Sequence, residues 1–370
     1  MNRRRFIRHA AQASAFTALS SPTWGAATSL PAPSTTEAGT IRSIAEDFLR
    51  EHGIEGMSIA YGRAGEIAFE AAYGFADAEG KEPVTPAHRF RIASISKPIT
   101  ATAVMMCIEK GLLQRDSNIF GPQGILGDTY GRDLPGSVRT VTIDHLLTHT
   151  SGGWGNAKND PMFIDPKVPQ DELITRTLAT QKQTHDVGTH YAYSNFGYCL
   201  LGRVLEKVTK LPYETLLTQH MLAKCGIKDM RIAGNTLADR QPNEVMYLTE
   251  KPGAAYGMNV PRMDAHGGWI ATAGDLVRFA SQLPRLLKEE SIKTMTSPGP
   301  AGGGYARGWS VNTVPNWWHG GSLPGTSTIM VHTAKGICWA GLLNRRTEGI
   351  GLALDKLMWR MAGTVPSWKV

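Results

Sequence analysis

Cysteine is scarce in this chain, which has four cysteines among 370 residues. The sequence contains neither the C-x-x-C pairs of zinc and dithiol redox sites nor the HExxH motif of zinc hydrolases. His145 and His149 are four residues apart on a predicted helix but have no evident third ligand, and His149 is expected to cap or hydrogen-bond its own turn. The sequence therefore predicts neither a metal nor a cofactor. Cys107 and Cys199 lie in apolar helical runs and are expected to be buried.

Long apolar runs and a strong charge imbalance are also missing. Beyond the N-terminal segment, no run reaches the ~18 apolar residues of a membrane helix. The net charge is +7, but four positive charges belong to the arginines at positions 3, 4, 5 and 8, which leaves about +3 for the rest. No stripe of lysine and arginine alternates with aromatic residues, so a nucleic-acid partner is not expected. The 42% of hydrophobic residues suffices for a sizeable core.

The N-terminus has the features of an export signal. "NRRRFIR" pairs arginines with apolar residues, a weakly apolar stretch follows, and "GAA" places small residues where a signal peptidase cuts. This pattern resembles a bacterial twin-arginine signal. We expect residues 1–27 to be removed, residues 28–40 to be a linker, and residues 41–370 to form one domain. The predicted location is the periplasm or the medium, with no stable membrane anchor after cleavage.

The order of periodic segments predicts an α/β (α+β) fold. A helical stripe runs from Ile41 to Gly53, and alternating residues then predict a β-hairpin over residues 57–73. A second hairpin is predicted around Ala334-Lys335-Gly336, followed by a C-terminal amphipathic helix. The simplest packing joins both hairpins in one antiparallel sheet flanked by helices, with a mainly helical central lobe of roughly residues 113–300. A cleft between these parts is a candidate ligand site.

One candidate for chemistry is the motif Ser94-Ile95-Ser96-Lys97, which precedes a strongly apolar predicted helix. Residues three apart share a helical face, so Lys97 can reach the Ser94 hydroxyl. Free N–H groups at the helix start favour an oxyanion beside Ser94. A serine nucleophile needs a base, and Lys97 can serve only if burial lowers its pKa. A serine before an apolar run is also typical of an ordinary helix cap, so the motif alone decides nothing.

Two further motifs follow in order. Tyr193-Ser194-Asn195 lies just before an apolar helix, 99 residues after Ser94. His319-Gly320-Gly321-Ser322 begins a predicted strand a further 126 residues on. Paired glycines weaken a strand and often mark a place where a ligand approaches the backbone. Taken singly, an aromatic turn with a capping asparagine and a bulged strand would explain them equally well.

The three motifs together resemble those of the penicillin-recognising serine hydrolases, which are related to class C β-lactamases and include DD-peptidases, D-amino-acid peptidases and esterases. That family reads Ser-x-x-Lys, Tyr-x-Asn, and Lys-Thr-Gly or His-x-Gly. The segments "LLTHTSG", "YSNFGYCLLGRVLEKVT" and "GGWIATAGDLVRFA" are also family-like, and the resemblance spans roughly residues 41–363. It implies a β-lactamase/transpeptidase-like fold and a small ester, amide or peptide substrate.

The resemblance also implies roles for the motif residues. Ser94 forms an acyl-enzyme, Lys97 or Tyr193 takes its proton, and Asn195 holds Lys97 and a substrate carbonyl. The backbone N–H groups of Ser94 and Ser322 form the oxyanion hole, with His319 and Gly321 beside the substrate. Which of Lys97 and Tyr193 is the base stays open.

The third motif departs from the lysine form of the family. His319 stands where a lysine would hold a substrate carboxylate, and a histidine is mostly neutral at pH 7. Efficient β-lactamase activity is therefore not expected, and esters, amides or D-amino-acid peptides are favoured. Arg345 and Arg346 are alternative cations, although solvated surface charge is the simpler expectation. A cell-wall or β-lactam sensor without turnover, an acyltransferase and a true β-lactamase remain alternatives.

Overall fold

A six-stranded antiparallel sheet lies at the centre of the molecule. The computed structural model describes residues 29–157 and 159–370. The strands of the chain are β1 (Gly56–Arg63), β2 (Glu66–Gly74), β3 (Phe90–Arg91), β4 (Arg231–Ile232), β5 (Trp269–Ala271), β6 (Ser310–Val311), β7 (Trp317–Leu323), β8 (Thr326–His332) and β9 (Cys338–Leu343). The main sheet has the order β2-β1-β9-β8-β7-β6, and the remaining strands form a small sheet, β3-β5-β4.

The first and last hairpins join in the middle of the main sheet, as predicted. Strand β1 pairs with β9 in antiparallel register from Met57 opposite Leu343 to Gly62 opposite Cys338. Both β8 and β9 are buried along nearly their whole length, which explains why "TIMV" and "CWAGLL" read as continuous apolar runs. The predicted α+β class is confirmed.

Helices cover both faces of this sheet. The helices of the described residues are α1 (Thr35–His52), α2 (Ser96–Glu109), α3 (Gly136–Arg139), α4 (Ile143–Leu147), α5 (Gln170–Thr180), α6 (Asn195–Thr209), α7 (Tyr213–His220), α8 (Asp264–Gly267), α9 (Ala273–Ser281), α10 (Leu283–Leu286), α11 (Glu289–Thr296) and α12 (Ile350–Gly363). Apolar residues of α1 and α12 form one core with one face of β1, β8 and β9. Helix α9 packs on the opposite face, so part of the range 113–300 belongs to the sheet layer.

Helix α1 begins earlier than the apolar stripe indicated. It starts at Thr35, because Ser34 caps it and Glu37 hydrogen-bonds back to Ser34, forming a capping box. The predicted linker of residues 28–40 is therefore wrong for its second half, which is helical. The predicted signal peptide of residues 1–27 lies outside the described residues. Within the described part of the chain, no helix is long and apolar enough to cross a membrane.

Helix α2 runs through the larger core and carries the first motif. Its residues are buried from Ser96 to Cys107 on every side, as expected for a helix without a polar face. The four cysteines are all buried free thiols, in keeping with their apolar surroundings. Because α2 is fixed on all sides, the residues at its N-terminus are held rigidly.

Candidate active site

Ser94 lies in a tight turn between the small sheet and α2. A 3₁₀ turn over Ala93–Ile95 links β3 to the helix, and Ala93 adopts a left-handed backbone conformation with φ of 49°. The left-handed backbone conformation is unfavourable for a residue with a Cβ, and residues that adopt it occur often at functional sites. The turn exposes the Ser94 side chain to a cavity of about 740 Å³.

The Lys97 side chain is fully buried and ends beside Ser94. Its Nζ lies 3.1 Å from Ser94 Oγ and donates to Asn195 Oδ1 at 2.7 Å and to the His266 carbonyl at 2.9 Å. Burial lowers the pKa of Lys97 to about 7. In the neutral amine, these two acceptors engage both N–H groups, which leaves the lone pair for the Ser94 hydroxyl. This geometry suits Lys97 to be a general base.

Tyr193 contacts the same two side chains. Its side chain hydrogen-bonds with Ser94, and Lys97 Nζ lies 4.7 Å from the centre of its ring. Burial raises the pKa of the Tyr193 hydroxyl above its ordinary value, despite the Ser94 hydrogen bond. Between the two candidate bases, these opposite shifts favour Lys97 as the group that accepts a proton near neutral pH, with Tyr193 as a neutral phenol.

Asn195 begins α6 and connects Lys97 to an acidic residue. Ser194 caps the helix by accepting from the Gly197 N–H at 3.0 Å. Asn195 Oδ1 faces Lys97, and its Nδ2 donates to Asp160 Oδ2 at 2.7 Å. The predicted contact between Asn195 and Lys97 is present.

Asp160 is a cavity residue that the sequence analysis missed. It lies in the loop of residues 152–169, which has no periodic pattern, and its only local signal is an Asp-Pro step that caps a 3₁₀ turn. Arg262 holds this loop by donating to four of its carbonyls, those of Met162, Ile164, Asp165 and Val168. The cavity wall therefore depends on a buried guanidinium distant in sequence.

His319 lies on β7, in the opposite wall. Its Nδ1 is 2.7 Å from the Gly320 carbonyl, so Nδ1 carries the proton and Nε2 accepts from the Tyr305 hydroxyl at 3.1 Å. Burial, together with the nearby charge of Lys97, lowers the pKa of His319 to about 3. His319 is therefore neutral at pH 7 and provides no cation. Tyr305 was not identified from the sequence.

Gly321 and Ser322 complete this wall. A Cβ on Gly321 would lie 2.1 Å from the Ile92 carbonyl oxygen, so only glycine lets β7 approach the Ser94 turn so closely. Ser322 lines the cavity, and its Oγ is 3.5 Å from Arg346 Nη1. Arg345, in contrast, forms an ion pair with Glu55. Of the two alternative cations, only Arg346 lines the cavity.

The histidines outside the motifs have other roles. His145 caps α4 through Thr142, and His149 instead accepts from the Ser194 N–H at 3.1 Å, so the predicted cap at His149 is wrong. His266 provides the carbonyl that holds Lys97. Among the described residues, no group of three or more His, Cys, Asp and Glu side chains could hold a metal.

The close contact at Gly321 predicts that alanine substitutions at Gly320 and at Gly321 differ sharply in their effect on stability. Gly321→Ala is expected to destabilise the protein by about 1–3 kcal/mol, because the new methyl group must displace β7. Gly320→Ala is the matched control, since its Cβ would lie 3.7 Å from the nearest atom. Thermal unfolding of both variants measures the effect. Equal melting temperatures would contradict this account.

The family of the chain follows from a comparison with known proteins. Residues 41–359 match the family described as Beta-lactamase, which is most of the chain. The protein belongs to this family. The expected kinship with penicillin-binding proteins and esterases is thereby confirmed, and members of this family are serine hydrolases.

Two similar proteins carry different names. The chain is 25% identical to Penicillin-binding protein 4* of Bacillus subtilis over 322 residues, 79% of this chain and 68% of that protein. It is 30% identical to Esterase EstB of Burkholderia gladioli over 251 residues, 64% of this chain and 62% of that protein. The chain thus spans roughly two thirds or less of these relatives.

A solved structure shows the same fold. The D-amino acid amidase of Ochrobactrum anthropi SV3 superimposes with a TM-score of 0.75 at 22% identity, covering 91% of this chain and 100% of that chain. The architecture is therefore shared over nearly the whole length.

Proposed function

We propose that this protein is an exported serine hydrolase that forms an acyl-enzyme at Ser94 from an ester, an amide or a D-amino-acid peptide. The observation that carries the proposal is the contact between Lys97 Nζ and Ser94 Oγ at 3.1 Å. Lys97 also donates to Asn195 Oδ1 and to the His266 carbonyl, which leaves its lone pair for Ser94. Export is supported by the arginines at positions 3–8 and the small residues before position 28.

The reaction uses residues that all line one cavity or touch those that do. Lys97 takes the Ser94 proton as Oγ attacks the substrate carbonyl, and the oxyanion is held by the backbone N–H groups of Ser94 and Ser322. As the leaving group departs, the Tyr193 phenol gives it a proton, and the proton that Lys97 took from Ser94 restores the phenol and returns Lys97 to the neutral amine. Water, activated by the same base, then releases the acyl group.

The cavity favours an uncharged apolar acyl group. Phe163 and Leu352 lie at its rim and are 44% and 63% exposed, which is high for large apolar side chains. Trp318 adds an aromatic surface to the cavity lining. Neutral His319 leaves no cation on β7 for a substrate carboxylate.

Arg346 favours a second candidate activity on carboxylate-bearing substrates such as β-lactams. It lines the cavity beside Ser322 and can supply the cation that His319 does not. The similar proteins, a penicillin-binding protein, an esterase and a D-amino acid amidase, support both kinds of substrate.

A labelling experiment followed by a substrate panel tests the proposal. The purified protein is treated with a fluorophosphonate, and the adduct is located by peptide mass spectrometry. We expect one adduct per chain, on Ser94, and turnover of a nitrophenyl ester or a D-aminoacyl amide faster than of nitrocefin. Adding an acceptor alcohol separates hydrolysis from acyl transfer.

The outcomes separate the alternatives. An adduct on Ser94 without turnover of any substrate favours a sensor, and transfer products in excess of hydrolysis favour an acyltransferase. Fast nitrocefin hydrolysis that is lost in Arg346→Ala favours a β-lactamase. No adduct on the folded protein would contradict the serine hydrolase.

A further inference from the structure

Asp160 is a carboxylate in the cavity wall that the proposed reaction does not use. It accepts two hydrogen bonds, from the Met162 N–H at 3.0 Å and from Asn195 Nδ2 at 2.7 Å. Partial burial raises the pKa of its carboxyl, and the hydrogen bonds and the charge of Lys97 oppose that rise. Moving a carboxylate away from water costs free energy unless hydrogen bonds or a nearby charge compensate for it. The position of Asp160 therefore calls for an explanation.

The contact with Asn195 sets the orientation of that amide. An amide has an acceptor end and a donor end, and Lys97 requires the acceptor end. An ionised carboxylate only accepts, so Asp160 requires the donor end. If the amide turned over, Nδ2 would face the Lys97 N–H groups and Oδ1 would face a carboxylate. Asp160 therefore selects the one orientation in which Asn195 accepts from Lys97.

The charge of Asp160 also acts on the lysine. The other titratable groups around the Lys97 amine are Tyr193, Tyr198, His149, His266 and His319. The tyrosine hydroxyls have raised pKa values and the histidines lowered ones, so all five are neutral near pH 7. Among the described residues, Asp160 is the carboxylate whose field raises the pKa of Lys97 against the effect of burial.

We propose that Asp160 is a positioning residue, which acts through Asn195 to direct the Lys97 lone pair at Ser94 and through its charge to keep that amine basic. The inference rests on the proposed function, because it assigns Lys97 the role of base. Asp160 itself does not need to touch the substrate.

The test uses Asp160→Asn, which has nearly the same shape without the charge. The rate of fluorophosphonate labelling is measured against pH for the wild type and the variant. Removing the negative charge makes the Lys97 ammonium less stable, so its pKa falls and the acid limb of the profile moves to lower pH. We expect a shift of about one pH unit and a plateau lowered about tenfold or more, because the amide of Asn195 is no longer fixed.

Two further variants make the result specific. Asp355→Asn removes another cavity carboxylate, which hydrogen-bonds Trp359 and does not act on Lys97. Its acid limb should coincide with that of the wild type. Asp160→Glu retains the charge, so its limb should stay near the wild-type position while its plateau falls.

The outcomes distinguish this inference from the proposed function. An acid limb that stays in place in a folded, labelled Asp160→Asn protein would overturn the positioning role. If Asp160→Asn does not fold, Asp160→Glu decides: a lowered plateau supports the role, and a wild-type plateau overturns it. Failure of the wild type itself to be labelled on Ser94 would instead overturn the hydrolase.

Discussion

Ser94→Ala is expected to abolish fluorophosphonate labelling and to reduce turnover by about 10⁴-fold or more. The reason is chemical, because among the described residues Ser94 is the one whose hydroxyl lies against the Lys97 amine and can donate its proton to the lone pair. Ser94 also lies in the turn before α2 and lines the cavity, where we expect the substrate carbonyl to bind. Mass spectrometry of the labelled chain and ester turnover measure both effects.

A serine in the same motif provides the control. Ser96 is fully buried, and its hydroxyl donates to the Ala93 carbonyl at 2.7 Å rather than facing Lys97. Ser96→Ala should lose about 1 kcal/mol of stability and retain labelling at Ser94. Full turnover by a folded Ser94→Ala protein would remove Ser94 from the mechanism.

Lys97→Met is expected to slow labelling by about 10²–10⁴-fold and to remove its pH dependence near neutrality. In the wild type, burial lowers the pKa of Lys97 to about 7, and only the neutral amine can accept the Ser94 proton. The rate should therefore fall as the pH drops below about 7 and reach its plateau above it. The measurement is the labelling rate from pH 5 to pH 9.

Lys97→Met, which should slow labelling, is expected to increase the stability of the folded protein at low pH. The pKa of Lys97 is about 7 in the folded protein and near its ordinary 10.5 in the unfolded chain, so the unfolded state binds the proton more tightly. The free energy of unfolding contributed by Lys97 is lowest below pH 7 and rises between pH 7 and 10.5. Lys97→Met should thus be more stable than the wild type at pH 6, by about 1–4 kcal/mol.

Urea denaturation of the wild type and of Lys97→Met at pH 6 and pH 9 measures this difference in stability. Lys356→Met, on the exposed face of α12, is the control and should change neither stability nor labelling. A pH-independent labelling rate in the wild type, or a less stable Lys97→Met protein at pH 6, would show that Lys97 is not the buried base.

The sequence alone predicted the sheet and the three motifs, because both depend on short regular patterns. Alternation over Met57–Tyr73 and the turn at Lys335 specify hairpins, and the spacing of Ser94 and Lys97 places them on one helical face. Asp160 escaped prediction because an irregular loop carries it, and its position is set by Arg262 about a hundred residues away. Such a contact leaves no periodic signal.

At two places, the sequence did not determine which residues form the hydrogen bonds at the ends of a helix. His145 belongs to the capping box at the start of α4 and His149 lies beyond the end of that helix, and the sequence does not show which of the two hydrogen-bonds its own turn. The start of α1 was missed because its first turn has no apolar stripe, and only the pair Ser34 and Glu37 marks it. In each case local side-chain hydrogen bonds, rather than hydrophobic periodicity, decided the local structure.

The pairing of β1 with β9 constrains how the protein folds. Met57 and Leu343 are 286 residues apart and lie opposite each other in the middle of the sheet. Contacts of such long sequence separation require a large loop to close, which slows folding and raises the relative contact order. A chain still emerging from the ribosome cannot complete this sheet. The Ser94 turn meets β7 only when the C-terminal strands have arrived, so Ser94 gains its surroundings at the last stage of folding.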